Sequence, residues 1–432
     1  MDYDVVVVGG GASGLMASCV AASRGRRVLL LEKMDQAGRK LRITGKGRCN
    51  LTNTATLRET LPHIGSDSRW LRNAYGRFFN PELMQFFEER GVALTEERGG
   101  RVYPASGKAL DIFLALINEL ESSQFVTIRK NATVKSVERS GLGVLSAELS
   151  ECGSNNSEIR NPNSELTVVL QNGERIHAGK VVLATGGLSY PTTGSTGAGY
   201  RMARELGHTV VEPVPVLVPL RCAEDIPEEL VGFQLKNVQL TLTTSGSRLS
   251  THFGEMTFCE DGLAGPIVLS ASRVASRLLH EGKEVKALLD LKPALTPEQL
   301  DKRLQADLNA NGTRIFNDAL RLWLPAELIP LALKQLHIEY YKRLHQITGE
   351  ERRRLGRWLK GVEFTVTGTH DWNEAIVTQG GVALGEVNPK TMESKLVPGL
   401  HIVGEMLDLD ADTGGYNLQI AFSTGYAAGM NV

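Results

Sequence analysis

The first 32 residues of the sequence constrain the fold more strongly than any other segment. Residues 5–8 are an apolar run as long as one buried strand, and a G-x-G-x-x-G motif follows them directly. The glycines of this motif are Gly9, Gly11 and Gly14. Residues 15–23 are predicted to form a helix, and residues 26–31 a second buried strand that ends at Glu32. This order of strand, glycine turn, helix and strand predicts an α/β fold with a Rossmann-type unit that binds a dinucleotide.

The residues of the motif have separate physical tasks in binding a dinucleotide. Gly9 permits the tight turn, Gly11 lets the backbone approach a pyrophosphate, and Gly14 lets the helix and the strand pack closely. The N-terminus of the helix offers N–H groups and a partial positive charge to the pyrophosphate. Glu32 stands 18 residues after the last glycine, where its carboxylate can accept hydrogen bonds from a ribose.

Length and charge bound the class of protein. A chain of 432 residues predicts two or three domains, and its net charge of −1 gives no global field that favours nucleic acid or an anionic membrane. The sequence begins without the positively charged segment of a signal peptide, and no apolar stretch approaches the roughly 20 residues that span a bilayer. We therefore expect a cytoplasmic protein that binds a small-molecule substrate and no membrane. The oligomeric state is not predicted.

The cysteines point to reduced thiols. They are five in number, scattered and without a C-x-x-C pair: Cys19, Cys49, Cys152, Cys222 and Cys259. An odd number at such spacings disfavours a disulfide framework, a zinc site and a redox dithiol, so no metal site is predicted.

A basic, glycine-rich loop follows the strand that ends at Glu32. Residues 38–53 read GRKLRITGKGRCNLTN, and their cations are Arg39, Lys40, Arg42, Lys46 and Arg48. Such a loop can surround phosphate, form an ordinary solvated surface or bind nucleic acid. Its position directly after the Glu32 strand favours contact with the same dinucleotide. Cys49 has no histidine nearby, which favours a packed residue beside the cofactor over a nucleophile.

Two glycine-rich turns occur in the middle of the chain. Residues 181–187, VVLATGG, predict a buried strand that ends in a turn close to a bound nucleotide. Residues 194–199, GSTGAG, have the order G-x-x-G-x-G and no acidic residue at the expected distance, so we reject a second dinucleotide site. A nicotinamide donor would therefore dock transiently, or the electrons would come from another substrate.

The C-terminal segment GEMLDLDADTGGYNLQ, residues 404–419, supplies further polar groups. Its three alternating aspartates do not match a calcium loop, because the positions of the turn glycine and of the bidentate acid are wrong. Glu405 or Asp408 can instead accept hydrogen bonds from a polyol chain. A glycine pair then begins a helix whose first amides, near Asn417 and Leu418, would face the pyrimidine edge of a flavin.

With these segments in order, the chain resembles the BaiN-like or YhiN-like family of bacterial FAD-dependent oxidoreductases. The resemblance rests on GGGASGLMA, EKMDQAGRKLRITGKGRCNLTN, VVLATGG with TGSTGAGYRMARELGH, and the segment from VTQGGVALGEVNPK to the C-terminal helix. It implies an FAD domain into which a β-barrel and a helical subdomain are inserted. The implied divisions are 1–190 and 376–432 for the FAD domain, 191–295 and 361–375 for the barrel, and 296–360 for the helical insert.

The resemblance and the motifs together predict the residues that contact FAD. Those at the pyrophosphate and ribose are Gly9, Gly11, Ala12, Ser13, Gly14, Glu32 and Lys33. Those along the cofactor are Arg39, Lys40, Thr44, Arg48, Cys49 and Asn50, with Val134 near the adenine. Thr185 and Gly186 would close over the nucleotide. The ribityl chain and ring would be held by Gly404, Glu405, Asp408, Gly415, Asn417 and Leu418.

The resemblance implies an FAD-dependent oxidoreductase, with NADPH or NADH as transient donor and an unidentified small organic substrate. Some members of the family are linked by name to the reduction of steroid-like enones. Two alternatives remain open at this point: an amine oxidase that passes electrons to oxygen, and a flavoprotein associated with nucleic acid. The near-neutral charge makes nucleic acid the less favoured partner. The candidates for proton transfer are Tyr416, Tyr190, His252 and His370, for each of which a structural role is the favoured interpretation.

Overall fold

A computed structural model describes residues 2–65, 67–139 and 166–432. The sequence of residues 151–165, ECGSNNSEIRNPNSE, predicts a polar loop, and this segment lies outside the described residues. The chain divides into two compact units, one formed by Met1–Pro213 with Val377–Val432 and the other by Val214–Ile376. Within the described part of the chain, no helix combines the length and the apolar character that crossing a membrane requires.

The strands, in chain order, are β1 (Tyr3–Val8), β2 (Val28–Leu31), β3 (Thr52–Asn53), β4 (Leu94–Glu97), β5 (Arg101–Pro104), β6 (Val126–Arg129), β7 (Val134–Arg139), β8 (Leu166–Leu170), β9 (Arg175–Leu183), β10 (Val210–Val216), β11 (Leu220–Cys222), β12 (Gln234–Thr244), β13 (Ser247–Cys259), β14 (Gly262–Ala264), β15 (Val285–Asp290), β16 (Val362–Thr369), β17 (Val377–Val382) and β18 (Leu400–Ile402).

The α-helices are α1 (Ala12–Ser23), α2 (Arg39–Ile43), α3 (Leu57–Thr60), α4 (Arg72–Tyr75), α5 (Asn80–Glu88), α6 (Ala109–Ser122), α7 (Ala198–Glu205), α8 (Pro266–His280), α9 (Pro297–Ala310), α10 (Phe316–Ala319), α11 (Ile329–Leu336), α12 (Gly349–Lys360) and α13 (Tyr416–Gly429). Short 3₁₀ helices include Pro191–Thr193 and Gly404–Met406.

A seven-stranded sheet forms the centre of the first unit. Its order is β6-β2-β1-β9-β8-β7, and β18 also pairs with β9. The pairs that include β1, and those of β2 with β6 and of β9 with β18, are parallel. The β2 strand and the second half of β1 are buried on both faces, as strands of a parallel sheet covered by helices are. The predicted Rossmann-type α/β fold is confirmed.

Helices α1 and α13 pack against each other through small residues. A Cβ atom on Gly425 would lie 2.4 Å from the carbonyl oxygen of Ser13, and one on Gly429 would lie 2.7 Å from that of Ala17. Larger side chains would hold the two helices apart. The closing helix α13 begins at Tyr416, directly after the predicted glycine pair, and Gly415 has a left-handed conformation at its N-cap.

The second unit contains a closed barrel with the strand order β11-β14-β13-β12-β15-β16. Helices α9 to α12 lie between the last two strands of this barrel in the sequence. The sequence places Thr348 three residues before Glu351, the spacing of a capping box, and the structure has one at the start of α12: the Glu351 carboxylate accepts from the Thr348 N–H at 2.7 Å and the Thr348 hydroxyl accepts from the Glu351 N–H at 3.2 Å.

The compact units divide at 213/214 and 376/377, whereas the sequence-based divisions fall at 190/191 and 375/376. The segment 191–213 contacts the first unit, which explains the difference. The Tyr200 hydroxyl donates to the Glu405 carbonyl oxygen at 2.8 Å, and a Cβ atom on Gly199 would collide with the Thr185 hydroxyl.

Candidate functional site

The glycine turn after β1 has the geometry that its motif predicts. Gly9 has a φ of +106°, and a Cβ atom there would lie 2.5 Å from the Ala184 carbonyl oxygen. A Cβ atom on Gly14 would lie 1.9 Å from the carbonyl oxygen of Gly9. Gly11 differs, because a Cβ atom there meets nothing within 4 Å. The turn is therefore tight where it faces the protein and open at Gly11, as a cradle for a pyrophosphate must be.

The C-terminal segment lies directly on this turn. A Cβ atom on Gly404 would lie 2.5 Å from the Ser13 hydroxyl, and the Gly404 N–H donates to the Thr424 hydroxyl at 3.0 Å. The structure thus brings the motif and the predicted ribityl segment together, although almost 400 residues separate them in the sequence.

The carboxylate of Glu32 is largely buried beside the same turn. It accepts the Gly10 N–H at 2.9 Å and the Met34 N–H at 2.8 Å, one on each oxygen. Because each carboxylate oxygen has two lone pairs, both keep the capacity to accept a ribose hydroxyl. Lys33 turns elsewhere and donates to the Thr196 hydroxyl at 2.8 Å.

Glu405 and Lys40 form an ion pair of 2.7 Å at the centre of the predicted site. The Glu405 carboxylate also accepts the Ser189 hydroxyl at 2.8 Å and the Thr378 N–H at 2.7 Å. Burial by itself would raise the pKa of the Glu405 carboxyl, but Lys40 and these hydrogen bonds outweigh it and lower that pKa. The carboxylate is therefore ionised and held in place.

Three other cations of the basic loop have partners within the first unit. These partners are Asp35 for Arg39 at 2.5 Å, Gln36 for Arg42 at 2.6 Å, and Glu97 for Arg48. Arg48 also lies over the Tyr103 ring, 4.5 Å from its centre. These contacts reduce the positive charge that the loop presents to a polyanion.

A pocket of about 500 Å³ opens beside this loop. Its polar and charged lining consists of Gln36, Arg39, Arg42, Lys108, Thr192 and Thr193. Arg42, whose partner Gln36 is neutral, and Lys108 bring positive charge to this concave surface, which suits a phosphorylated ligand.

Cys49 and Thr44 have structural contacts. Cys49 is fully buried with a φ of +58°, and burial raises the pKa of its thiol to about 12. A neutral thiol agrees with the packed-residue interpretation, because the thiolate is the nucleophile. The Thr44 hydroxyl donates to the Lys40 carbonyl oxygen at 2.9 Å and so supports the end of α2.

The N-terminus of α13 is fixed by close backbone contacts. Gly415 has a φ of +97°, and a Cβ atom there would lie 2.3 Å from the Thr52 carbonyl oxygen. In the amide orientation that satisfies both groups, Asn50 accepts the Gly415 N–H and donates to the Thr52 carbonyl oxygen, both at 3.0 Å. The Asn417 side chain accepts the Ala411 N–H at 2.9 Å. These bonds aim the first amides of the helix, which have no acceptor within the helix itself.

The remaining predicted contacts lie on other elements of the first unit. The Thr185 hydroxyl is 2.9 Å from the Met406 sulfur, and Gly186 has a φ of +73°. Val134 is buried at the start of β7, and the Asp408 N–H donates to the Val382 carbonyl oxygen at 3.0 Å. The side chain of Leu418 is partly buried against the core.

Of the proton-transfer candidates, Tyr416 has the most informative surroundings. Its ring stacks on His63 with centroids 4.6 Å apart, and Nδ1 of His63 is 2.8 Å from a carboxylate oxygen of Asp412. Burial, and then the negative charge of Asp412, raise the pKa of the Tyr416 phenol. Tyr190 has a left-handed backbone at the start of a 3₁₀ helix.

The two candidate histidines belong to the second unit. His252 lies on β13, and His370 follows β16. Burial alone would lower the pKa of His370, but its hydrogen bonds to Glu374 and Asp261 outweigh this effect and raise the pKa.

Sequence reasoning missed four polar residues that the structure adds to this region: Ser189, Thr378, His63 and Asp412 as the partner of His63. No motif predicts their roles, because each role depends on a contact with a residue far away in the sequence; Asp412 belongs to the aspartate run rejected above as a calcium loop. The sequence offers one hint for Ser189, which stands two residues after the predicted turn VVLATGG.

Comparisons with known proteins agree with this architecture. A sequence model of the family described as HI0933-like protein Rossmann domain matches residues 3–431. A 3-dehydro-bile acid delta(4,6)-reductase from Clostridium scindens is 33% identical over 425 residues, which cover 98% of this chain and 97% of that protein. A ribosomal RNA dihydrouridine synthase from Escherichia coli is 30% identical over 431 residues, which cover 100% of this chain and 98% of that protein.

Among solved structures, a 3-ketosteroid delta1-dehydrogenase from Sterolibacterium denitrificans covers 99% of this chain and 98% of its own. The TM-score is 0.47 and the identity 14%, and a likeness of that degree supports no conclusion about chemistry.

Proposed function

As a member of the HI0933-like family, this chain is an FAD-dependent oxidoreductase, and we propose that it reduces a carbon–carbon double bond conjugated to a carbonyl group in a small organic substrate. The observation that carries this proposal is the 33% identity, over nearly the whole of both chains, with a protein named as a delta(4,6)-reductase of a 3-dehydro bile acid. When bound, FAD supplies the hydride for such a reduction.

The glycine turn and Glu32 bind the nucleotide end of the cofactor. The open position at Gly11 leaves room for the pyrophosphate, to which the amides of Ala12, Ser13 and Gly14 would donate. The Glu32 carboxylate, already held by two backbone N–H groups, accepts the ribose hydroxyls. Because the backbone fixes this carboxylate in advance, little side-chain freedom is lost on binding.

The N-terminus of α13 would stabilise negative charge on a bound, reduced flavin. Its first amides, at Tyr416, Asn417 and Leu418, have no intrahelical acceptor, and the helix adds a partial positive charge at this end. The bonds from Asn50 and Asn417 fix the approach of the chain to this helix. Such preorganised donors act without reorganisation during the reaction.

Tyr416 supplies the proton that completes the reduction. Once the hydride had added to the carbon remote from the carbonyl group, the phenol would protonate the carbon next to it and then regain its proton from solvent. A raised pKa keeps the phenol protonated at neutral pH, as a proton donor must be. His63, stacked on the ring and hydrogen-bonded to Asp412, positions it.

Reduced nicotinamide dinucleotide is the electron donor in this proposal. The pocket beside the basic loop offers Arg42 and Lys108 to phosphate groups, which favours NADPH with its additional 2′-phosphate over NADH. Arg42→Ala should then raise KM for NADPH more than KM for NADH. Equal increases in the two KM values would show that the pocket does not bind the 2′-phosphate of the donor.

A second candidate substrate is a uridine of ribosomal RNA, which the 30% identity with a dihydrouridine synthase favours. Formation of dihydrouridine also saturates a double bond conjugated to a carbonyl group, so the two candidates share one reaction class. The partners of the basic loop count against an RNA surface at that loop, because Arg39 and Arg48 pair with acidic side chains.

The first experiment follows the visible flavin absorbance under anaerobic conditions while NADPH and then NADH are added. Bleaching by either, followed by recovery on addition of a 3-oxo-4-ene steroid, supports the proposal. If the flavin absorbance recovers with unmodified ribosomal RNA and not with the enone, the substrate is the second candidate, a uridine of ribosomal RNA. A flavin that neither donor bleaches refutes both and favours the amine oxidase alternative, which peroxide formation with amines would then test.

A further inference from the structure

Three potential metal ligands from separate parts of the second unit come together at one end of the barrel. Cys259 is the last residue of β13, Asp261 lies in the turn to β14, and His370 directly follows β16. Strands β14 and β16 both pair with β11, which explains why residues 109 apart in the sequence meet here. The sulfur, one carboxylate oxygen and one ring nitrogen lie within 4.8 Å of one another.

The three side chains turn defined atoms toward each other. Oδ1 of Asp261 is 2.8 Å from Nε2 of His370 and 3.7 Å from the sulfur of Cys259. The other atoms of the same groups are held from outside. Oδ2 of Asp261 accepts from Arg221 at 3.0 Å, and Nδ1 of His370 is 2.7 Å from Glu374.

This arrangement has the two shells of a protein metal site. A histidine that binds a metal through one ring nitrogen almost always donates from the other to a carboxylate or carbonyl oxygen, and Glu374 occupies that position here. Arg221 likewise holds the second carboxylate oxygen of Asp261, to which it donates a hydrogen bond.

We infer that Cys259, Asp261 and His370 bind a zinc ion. Zinc takes sulfur at about 2.3 Å and nitrogen or oxygen at about 2.0 to 2.2 Å, which places tetrahedral donors about 3.3 to 3.7 Å apart. The separation of the Cys259 sulfur from Asp261 already fits, and the Asp261–His370 contact needs to open by less than about 1 Å.

The chemistry of the donors favours zinc over harder cations. Thiolate and imidazole are ligands that zinc prefers, whereas magnesium and calcium take oxygen. Binding releases the thiol proton of Cys259 and the Nε2 proton of His370 to solvent. The thiolate and the Asp261 carboxylate then neutralise the two positive charges of the ion.

The fourth position is filled by water, or by Cys222 if its side chain moves toward the cluster, since its sulfur is not among the three donor atoms that lie within 4.8 Å of one another. Cys222 is the last residue of β11, and its N–H donates to the carbonyl oxygen of Asp261 at 2.9 Å, so its backbone adjoins the cluster. The ion connects the β13–β14 turn to the end of β16. Its role is therefore to hold the end of the barrel together, independently of the flavin.

The test is metal content and cobalt spectroscopy of the full-length protein. The protein is freed of metal by chelator dialysis, and Zn²⁺ binding is measured by competition with a chromophoric chelator. Co²⁺ in the same site should give the near-ultraviolet band of a thiolate–cobalt bond. Glu260→Gln is the matched control, because it removes a carboxylate between Cys259 and Asp261 that is not part of the cluster.

We expect about one equivalent of zinc in the wild type and in Glu260→Gln. Cys259→Ser and Asp261→Asn should lose it, and the cobalt band should disappear with Cys259→Ser. Glu374→Gln should bind about 10 to 100-fold more weakly, the usual effect of an outer-shell change. Cys222→Ser should shift the cobalt spectrum if this thiol is the fourth ligand and leave it unchanged if water is.

Two results would overturn the inference. One is a wild-type protein that binds no stoichiometric zinc and shows no thiolate–cobalt band, since this readout depends on no variant. The other is zinc binding that Cys259→Ser and Asp261→Asn leave equal to that of Glu260→Gln.

Discussion

Removal of Lys40 should expose the dependence of the first unit on one ion pair. The side chains of Lys40 and Glu405 are only 25% and 19% exposed, and their charged atoms are 2.7 Å apart. Loss of one partner of a buried pair costs about 3 to 5 kcal/mol, because the other charge stays buried without compensation. The residual exposure lowers this figure, and the bonds from Ser189 and Thr378 persist. We therefore expect Lys40→Met to lower the free energy of unfolding by about 2 to 3 kcal/mol.

The pH dependence gives a second signature of the same change. In the wild type the pKa of Glu405 is lowered, so its stabilising contribution is present above the pKa of the unfolded state and is lost as the pH falls through the folded pKa. Without Lys40, burial dominates and raises the pKa of Glu405. The effect of Glu405 on stability then has the opposite pH dependence. The difference in the free energy of unfolding between Lys40→Met and the wild type should be smallest at acidic pH and should grow as the pH rises.

Urea unfolding of the wild type and three variants measures both effects. Lys40→Met/Glu405→Gln removes the uncompensated charge and should recover most of the loss. Lys33→Met is the matched control, because its ammonium group donates to the Thr196 hydroxyl rather than to an acid. A cost below about 1 kcal/mol for Lys40→Met, or equal costs for the single and double variants, would refute the reasoning.

Three further predictions concern the cofactor, the proton and the core. Gly11→Val should fold but lose FAD, measured by flavin absorbance per chain, because its side chain enters open space; retention of FAD would contradict the pyrophosphate assignment. Tyr416→Phe should keep FAD and its reduction by NADPH but slow substrate turnover by about 100-fold or more; unchanged turnover would exclude the phenol as proton donor. Burial lowers the pKa of His401 to about 4, and both of its ring nitrogens lack a hydrogen-bond partner in the described part of the chain. The unfolded state therefore binds a proton first as the pH falls below 6.5, and stability should fall by about 3 kcal/mol down to pH 4, a slope that His401→Leu should abolish in pH-dependent melts.

The part of the fold that the sequence predicted is the part encoded by local patterns. A buried strand, a glycine turn and a helix in direct succession are readable because each depends on residues within one short segment. The capping box of Thr348 and Glu351 is readable for the same reason, since its two residues are three apart. The glycine pair that begins α13 is readable too, since it directly precedes the helix, but the close approach of Gly415 to Thr52 is not.

The contacts that complete the candidate site are of another kind. Lys40 and Glu405 are 365 residues apart, and no spacing rule connects them. They meet because β1 lies between β2 and β9 in the sheet, and β18 adds to the other side of β9. Since carboxyl ends of parallel strands share one edge of a sheet, the loops that follow these strands gather there. Strand order is a property of the whole chain, and for that reason Ser189 and Thr378 could not be found from sequence.

The reaction class can be inferred from local motifs, whereas the substrate depends on contacts that the motifs do not encode. The groups proposed to face the cofactor lie in the motifs that carry the resemblance to the family, and the two relatives described above bear names that denote saturation of a double bond. An electron-poor alkene next to a carbonyl group needs a hydride at one carbon and a proton at the other, whether it belongs to a steroid or to a uracil ring. A proton donor near the N-terminus of α13 would serve both, so Tyr416→Phe tests the reaction class without deciding the substrate. Only the recovery of the flavin with enone or with ribosomal RNA separates the two, because the difference lies in groups that recognise the rest of the molecule.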